Sequence, residues 1–191
     1  ILRHDPDIVL IGEIRDSETA DIAVRASLTG HLVFSTLHTN DAPSAITRLI
    51  DMGVKPFLVA SSIQAVMAQR LIRVLCPKCK QPDREPDPMW LKLAGITTND
   101  MKDKTIYKPR GCDYCTGTGF RGRVGIFELM PMNSEIRGLA FDRAPTNKIR
   151  KAALASGMKS LLADGRLKVL NGITTAEEVV KVAQVEGIVT G

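Results

Sequence analysis

Four cysteines are the residues of this sequence whose type and spacing first define a chemistry. They form two C-x-x-C pairs, Cys76-Pro77-Lys78-Cys79 and Cys112-Asp113-Tyr114-Cys115, separated by the 32 residues 80–111. Each pair can fold into a knuckle that points two thiolates at one ion, and two knuckles complete a tetrahedral shell. Zinc suits such a shell, and a closed shell with no open position makes its role structural. The spacing also leaves open redox C-x-x-C motifs, disulfides or an iron–sulfur cluster.

A second group is Asp5-Pro6-Asp7-Ile8-Val9-Leu10-Ile11-Gly12-Glu13-Ile14-Arg15-Asp16. An apolar strand that delivers an acid at its C-terminal edge puts a carboxylate where α/β sheets bind ligands. There Glu13 can orient an attacking water or help hold a magnesium ion, although many strands end in an acid. A third group, Thr29-Gly30-His31-Leu32-Val33-Phe34-Ser35-Thr36-Leu37-His38-Thr39-Asn40, ends a second apolar run in polar side chains. If the two strands are parallel, Glu13 and His38 emerge at the same edge. His38 can then reach a terminal phosphate or a water, or it simply caps the helix that follows.

The elements that must position these groups follow from periodicity. Ile8–Ile11 is a short β-branched run that suits a buried parallel strand. Helical spacing starts at Ser17, the expected N-cap, and closes at Gly30. Leu32–Leu37 returns to strand, so residues 8–37 read as a right-handed β-α-β crossover. Helices are expected over Pro43–Met52 and Pro56–Arg70. Residues 76–119 hold every cysteine and five of the ten prolines, with little periodicity, so this segment needs a staple other than a hydrophobic core. Gly122–Met130 is expected to return to the core as a strand. Helices are then expected over Asn133–Phe141, Ala144–Ala155, Lys159–Leu170 and Thr175–Val185, the last with a threonine cap before Glu177 and Glu178.

Composition bounds the function. The 191 residues are 44% hydrophobic and 25% charged, the proportions of a globular chain able to bury a core without disulfides. A net charge of +5 with only 4% aromatics, none interleaved with basic residues, argues against specific nucleic-acid binding. No run approaches the ~20 apolar residues of a bilayer span, and no signal peptide is present, so an intracellular protein is expected. The start at Ile1, immediately before an apolar run, leads us to expect a preceding segment.

Taken together, Asp5–Asp16 and Thr29–Asn40 resemble the Walker B element and histidine box of the ATPases that power type II secretion and type IV pilus assembly. The resemblance continues through Asp41–Ala45, Ala68–Leu71, the cysteine segment, Gly117–Arg123, Gly157-Met158 and Gly172–Thr175 with Glu177 and Glu178. It implies a RecA-like P-loop NTPase core of which this chain holds the C-terminal half. Residues 1–75 would be that half-core, 76–119 a tetracysteine zinc insertion, 120–132 a return strand and 133–191 a helical subdomain. Glu13 would be the general base or water-orienting glutamate and His38 the functional histidine. Gly12, His31 and Thr36 would stand on the nucleotide side. The resemblance further implies Mg-ATP, a hexamer, an inner-membrane platform protein as partner, and a cytoplasmic place at that membrane. The zinc insertion belongs to the assembly and secretion branch rather than the retraction branch.

One departure matters. No G-x-x-x-x-G-K-[ST] occurs in these residues, the nearest feature being Gly117-Thr118-Gly119, so the chain alone is expected to be inactive. Competing readings are a non-enzymatic zinc docking module and a DNA-uptake or conjugation motor on the same fold. Arg70 and Arg73 are expected to be solvated or to cap carbonyls. Arg121 and Arg123 are candidate arginine fingers, with surface roles the default, and Met89 and Trp90 are expected to fill a small core.

Overall fold

The computed structural model describes residues 6–102 and 104–183. Asp5 and the expected helix end at Val185 lie outside the described residues. The fold is α/β, and the chain divides into two compact units, Ile1–Ala68 with Leu129–Met158 and Gln69–Glu128 with Lys159–Gly191.

In the first unit, β1 (Ile8–Glu13) runs parallel to β2 (Leu32–Thr36), joined by helix α1 (Ser17–Leu28). The N-cap of α1 is Asp16 rather than the expected Ser17. Its carboxylate accepts from the Thr19 amide at 2.8 Å, and an ionised acceptor complements the helix N-terminus better than a hydroxyl. Ile8 and Leu10, aligned with Leu32 and Phe34, are 61, 76, 48 and 54% exposed, so one face of this ribbon is open. The expectation of a fully buried strand therefore fails: Val9 is buried, but the opposite face has no covering layer among the described residues.

Helices α2 (Ala42–Asp51), α3 (Pro56–Ser62), α5 (Ser134–Phe141) and α6 (Thr146–Ala155) build the rest of this unit, with α2 packing on α6 and α3 on α5. Its core is small and aliphatic, with Ile46, Val59, Ile136, Ile149 and Ala153 completely buried. Charged side chains lock the helices. Asp41 caps α2 by accepting from Ser44 at 2.8 Å and also pairs with Arg150 of α6. Burial opposes ionisation of Asp41, but these two bonds outweigh it and hold its carboxyl below the usual range. Arg137 of α5 donates to the carbonyls of Ala60 and Met132 and to Gln64.

The expected Pro56–Arg70 helix stops at Ser62. The Ser61 and Ser62 hydroxyls both turn back to the Leu58 carbonyl, and Ile63 is extended. The chain then enters β3 (Ala65–Leu75), which pairs with β6 (Phe120–Pro131). Strand pairing overrides the helix-forming composition here. The returning strand is present and longer than the expected Gly122–Met130.

In the second unit, β4 (Gln81–Pro82) and β5 (Tyr107–Lys108) form a short antiparallel pair beside α4 (Pro88–Leu93). Leu91 is buried, whereas Met89 is 54% exposed and does not fill a core. Trp90 is partly buried, with Lys181 over its ring at 5.7 Å. Helix α7 (Leu161–Leu170) packs on α8 (Ala176–Ala183). Among the described residues no helix is long and apolar enough to cross a membrane.

Arg73 corrects another expectation. It neither caps carbonyls nor stands in solvent alone, but grips Glu178 with Nε 3.0 Å from each carboxylate oxygen and Nη2 2.6 Å from Oε2. The Arg73 amide donates to the same carboxylate at 3.1 Å. Thr175 caps α8, accepting from the Glu178 amide at 3.2 Å, while the Glu178 side chain turns to Arg73 rather than completing a capping box. Burial pushes the Glu178 carboxyl up, but the Arg73 bonds outweigh it and leave it below the ordinary range. A depressed carboxyl stabilises the fold fully above the unfolded glutamate value near ~4.3, and that contribution disappears as pH falls through the folded value. Glu178→Ala should therefore cost about 1–3 kcal/mol at neutral pH. It should also flatten the acid limb of stability, read by urea unfolding between neutral pH and about pH 3.

Candidate functional site

Parallel pairing brings the ends of β1 and β2 to one edge. The register runs Ile11↔Ser35 and then Glu13↔Thr36, so Gly12 is an extra residue, a bulge, immediately before the acid. The Thr36 hydroxyl donates to the Gly12 carbonyl at 2.6 Å, and the Ile14 amide donates to the Thr36 carbonyl at 2.9 Å. These bonds fix the backbone on both sides of Glu13. A Cβ at Gly12 would meet nothing within 4 Å, so the space beside the bulge is open.

The Glu13 carboxylate stands between two basic side chains. His38 Nε2 lies 2.5 Å from Oε1, and Arg15 Nη2 lies 2.6 Å from Oε2. Glu13 is 22% exposed, Arg15 75% and His38 85%. Both contacts are ion pairs: Arg15 Nη2 pairs with Oε2, while Oε1 is shielded from solvent and has no hydrogen-bond partner although His38 Nε2 stands beside it. The Arg15 hydrogen bond is the main cause that holds the Glu13 carboxyl below its ordinary value, against a smaller opposing effect of burial. Glu13 is therefore an ionised carboxylate with Arg15 against one oxygen and His38 against the other, the latter without a hydrogen bond.

Of the expected residues, Gly12, Glu13, Thr36 and His38 gather at this edge. His31 does not. It precedes β2, about 17 Å away along the strand at ~3.3 Å per residue, and its Nδ1 lies 3.0 Å from the Ala26 carbonyl at the end of α1. Arg15 was missed. The signal for it was the i, i+2 spacing from Glu13, which in extended chain places both side chains on one face.

The second cluster lies in the second unit. The four cysteine sulfurs all fall within 4.8 Å of one another, and the group could hold a metal ion. Three separations are 3.7, 3.8 and 3.9 Å, matching the ~3.8 Å edge of a tetrahedron built on a 2.3 Å zinc–sulfur bond. They are nearly twice a disulfide bond, and all four thiols are free. The donor set thus fits one thiophilic ion and is too tight for a multi-iron cluster.

The second knuckle explains its glycines. Cys115 Sγ accepts from the amides of Cys112 at 3.3 Å and Gly119 at 3.1 Å. A Cβ on Gly111 would lie 2.6 Å from the Gly117 carbonyl oxygen, and one on Gly119 would lie 2.3 Å from Pro109 Cβ. Gly117-Thr118-Gly119 therefore wraps a sulfur. Burial opposes ionisation of Cys115, but the two amides and neighbouring thiols outweigh it and bring it down to about 6. Burial instead raises Cys79 to about 11. Tyr114 ties the knuckles together, with Lys78 Nζ 4.1 Å and Arg121 4.0 Å from its ring centroid and Arg121 donating to its carbonyl at 2.5 Å. Arg121 is thus engaged with the knuckle, while Arg123 is exposed on the same strand.

The fold is that of the ATPase DotB: the Yersinia pseudotuberculosis structure superposes with a TM-score of 0.63 at 18% identity, over 97% of this chain and 39% of that one. The Legionella pneumophila DotB structure gives 0.59 at 22% identity, over 95% of this chain and 39% of that one. The chain belongs to the Type II/IV secretion system protein family, whose profile matches residues 1–181. It is 52% identical to type II secretion system protein E of Pseudomonas aeruginosa over 97% of this chain and 36% of the relative. To the type IV pilus assembly ATPase PilB of Myxococcus xanthus it is 49% identical, over 94% of this chain and 32% of the relative. The chain spans about a third of the length of these curated relatives.

The cysteine cluster makes its own prediction. Metal analysis of the purified protein should give one ion per chain. Cys115→Ser should abolish tight binding and expose residues 76–119 to proteolysis, because the ion's binding energy is also folding energy. Four freely titratable thiols and no bound metal would refute the site.

Proposed function

We propose that this chain forms the C-terminal half of a RecA-like P-loop core in an ATP-hydrolysing motor subunit that drives type II secretion or type IV pilus assembly. The observation that carries this reading is the shared strand edge, where an ionised Glu13 meets His38 at 2.5 Å in a chain of the secretion family. Relatives named as a secretion protein E and a pilus assembly ATPase support the same activity.

In this reading Glu13 is the water-orienting carboxylate and His38 hydrogen-bonds the water or the terminal phosphate. Hydrolysis of a phosphoanhydride demands positioning and charge stabilisation more than covalent chemistry, so a few fixed polar groups suffice. Magnesium bound with ATP would neutralise phosphate charge. Gly12 and Thr36 form the backbone floor beside the phosphates, and His31 is a more distant nucleotide-side residue. The half-core is residues 1–75, with a zinc insertion at 76–119, a return strand at 120–132 and a helical subdomain at 133–191. Cys76, Cys79, Cys112 and Cys115 hold a structural zinc ion that closes the insertion. No phosphate-cradling loop occurs in the 191 residues, so the motor works as a longer protein, and these residues alone turn over no ATP.

The whole protein would act as a cytoplasmic hexamer against an inner-membrane platform protein. A zinc insertion favours the export and assembly motors. Arg123 keeps its candidacy as an arginine finger better than Arg121, whose guanidinium is occupied by Tyr114.

The test is Glu13→Gln in the full-length protein. Turnover should fall at least about 100-fold while ATP binding is retained, since the amide keeps the shape and loses the charge. Normal turnover in that variant would remove Glu13 from the chemistry.

A further inference from the structure

Oε1 of Glu13 is an oddity: a carboxylate oxygen shielded from solvent, with no aligned donor, beside an exposed histidine. Buried acceptors are ordinarily satisfied, and an open one at a candidate catalytic carboxylate implies a donor that arrives with the substrate. The other oxygen explains how the opening is maintained. Arg15 Nη2 pairs with Oε2 at 2.6 Å, from two residues along the chain, just past the strand end. Arg15 is 75% exposed, so this pair adds little to stability. Its effect is geometric, because fixing one oxygen fixes the plane of the carboxylate and the direction of the other.

Resting on the motor reading above, we propose that Arg15 is a positioning residue for hydrolysis. It occupies Oε2, keeps Glu13 ionised and presents Oε1 as the single acceptor for the attacking water. Glu13 then acts as an anionic water clamp that stays charged across the neutral range. The groups that act on this carboxylate, among the described residues, are Arg15 beyond β1 and His38 beyond β2. Removing Arg15 frees the carboxylate to rotate and lets its titration rise toward the ordinary glutamate value.

Steady-state ATPase of the full-length protein, as wild type, Arg15→Ala, Arg15→Lys and Glu13→Gln, tests this across pH 4–8, a range that reaches the ordinary glutamate value of about 4.3. Arg15→Ala should lower kcat about 10- to 100-fold with KM for ATP within about 2-fold, the scale expected when a reacting group is misplaced. The acid limb of its kcat profile should move to higher pH. Arg15→Lys, which restores the charge without the planar fork, should recover the limb's position and part of kcat. A wild-type kcat and acid limb in Arg15→Ala would overturn the proposal, as would a raised KM at unchanged kcat, which marks a nucleotide-binding arginine. Glu13→Gln separates the two failures. An inactive Glu13→Gln beside a normal Arg15→Ala sinks only the role of Arg15, whereas an active Glu13→Gln sinks the catalytic reading and this one with it.

Discussion

The parallel pairing of β1 with β2, interrupted by one extra residue, is the constraint on which the candidate site depends. Parallel strands end on the same side, so two separate stretches of sequence can deliver side chains to one place without any direct link between them. The bulge at Gly12 then re-aims what the strand delivers, because a single added residue reverses the alternation of side chains. Thr36 makes this deviation stable by bonding the Gly12 carbonyl that the irregular ladder would leave over. A site built this way is set by backbone geometry, so its residues can stay polar and partly solvated.

Elsewhere the chain substitutes charge geometry for bulk. Aromatic residues are 4% of the sequence, and the buried positions are filled by Ala, Ile, Val and Leu, whose cores leave helix ends to be fixed by other means. Arginines do this repeatedly: Arg150 on the cap of α2, Arg137 on the Ala60 carbonyl of α3, Arg73 on α8, and Arg166 on Asp100. The planar, multi-donor guanidinium suits such joints, since one side chain can satisfy several acceptors that no single hydrophobic contact could orient. Asp100 shows the effect in its carboxyl, held down to about 2 by the Thr97 hydroxyl and amide, with Arg166 adding to them.

Much of this was legible in the sequence, and the failures are instructive. The cysteine group could be read directly, because thiolate spacing encodes geometry with little help from the rest of the fold. The Glu13 and His38 edge needed only the two apolar runs and the inference that they lie parallel. Residues 65–70, the first half of the Ala65–Leu75 strand, were read as helix, and Met67, Ala68, Leu71, Ile72 and Leu75 do fall at helical spacing. Burial instead follows every second residue, with Ala68 and Ile72 inside and Met67 and Leu71 exposed, a pattern set by pairing with distant β6. The T-x-x-E pattern before α8 predicted a cap but not its rival, since nothing local announces Arg73 across more than a hundred positions. Arg15 was overlooked for the opposite reason: its partner is so close in sequence that it reads as part of a motif rather than as a contact.

The open face of the β1–β2 ribbon governs how these residues behave in bulk. Ile8, Leu10, Leu32 and Phe34 together form a side-by-side apolar strip of the kind that adheres to its own likeness. What opposes that adhesion is mutual repulsion between molecules that each carry a net charge of +5. The repulsion reaches about 10 Å at 0.1 M salt and shrinks to about 3 Å at 1 M, while the apolar attraction does not weaken. Added salt therefore shortens the repulsion and leaves the apolar strip as it is.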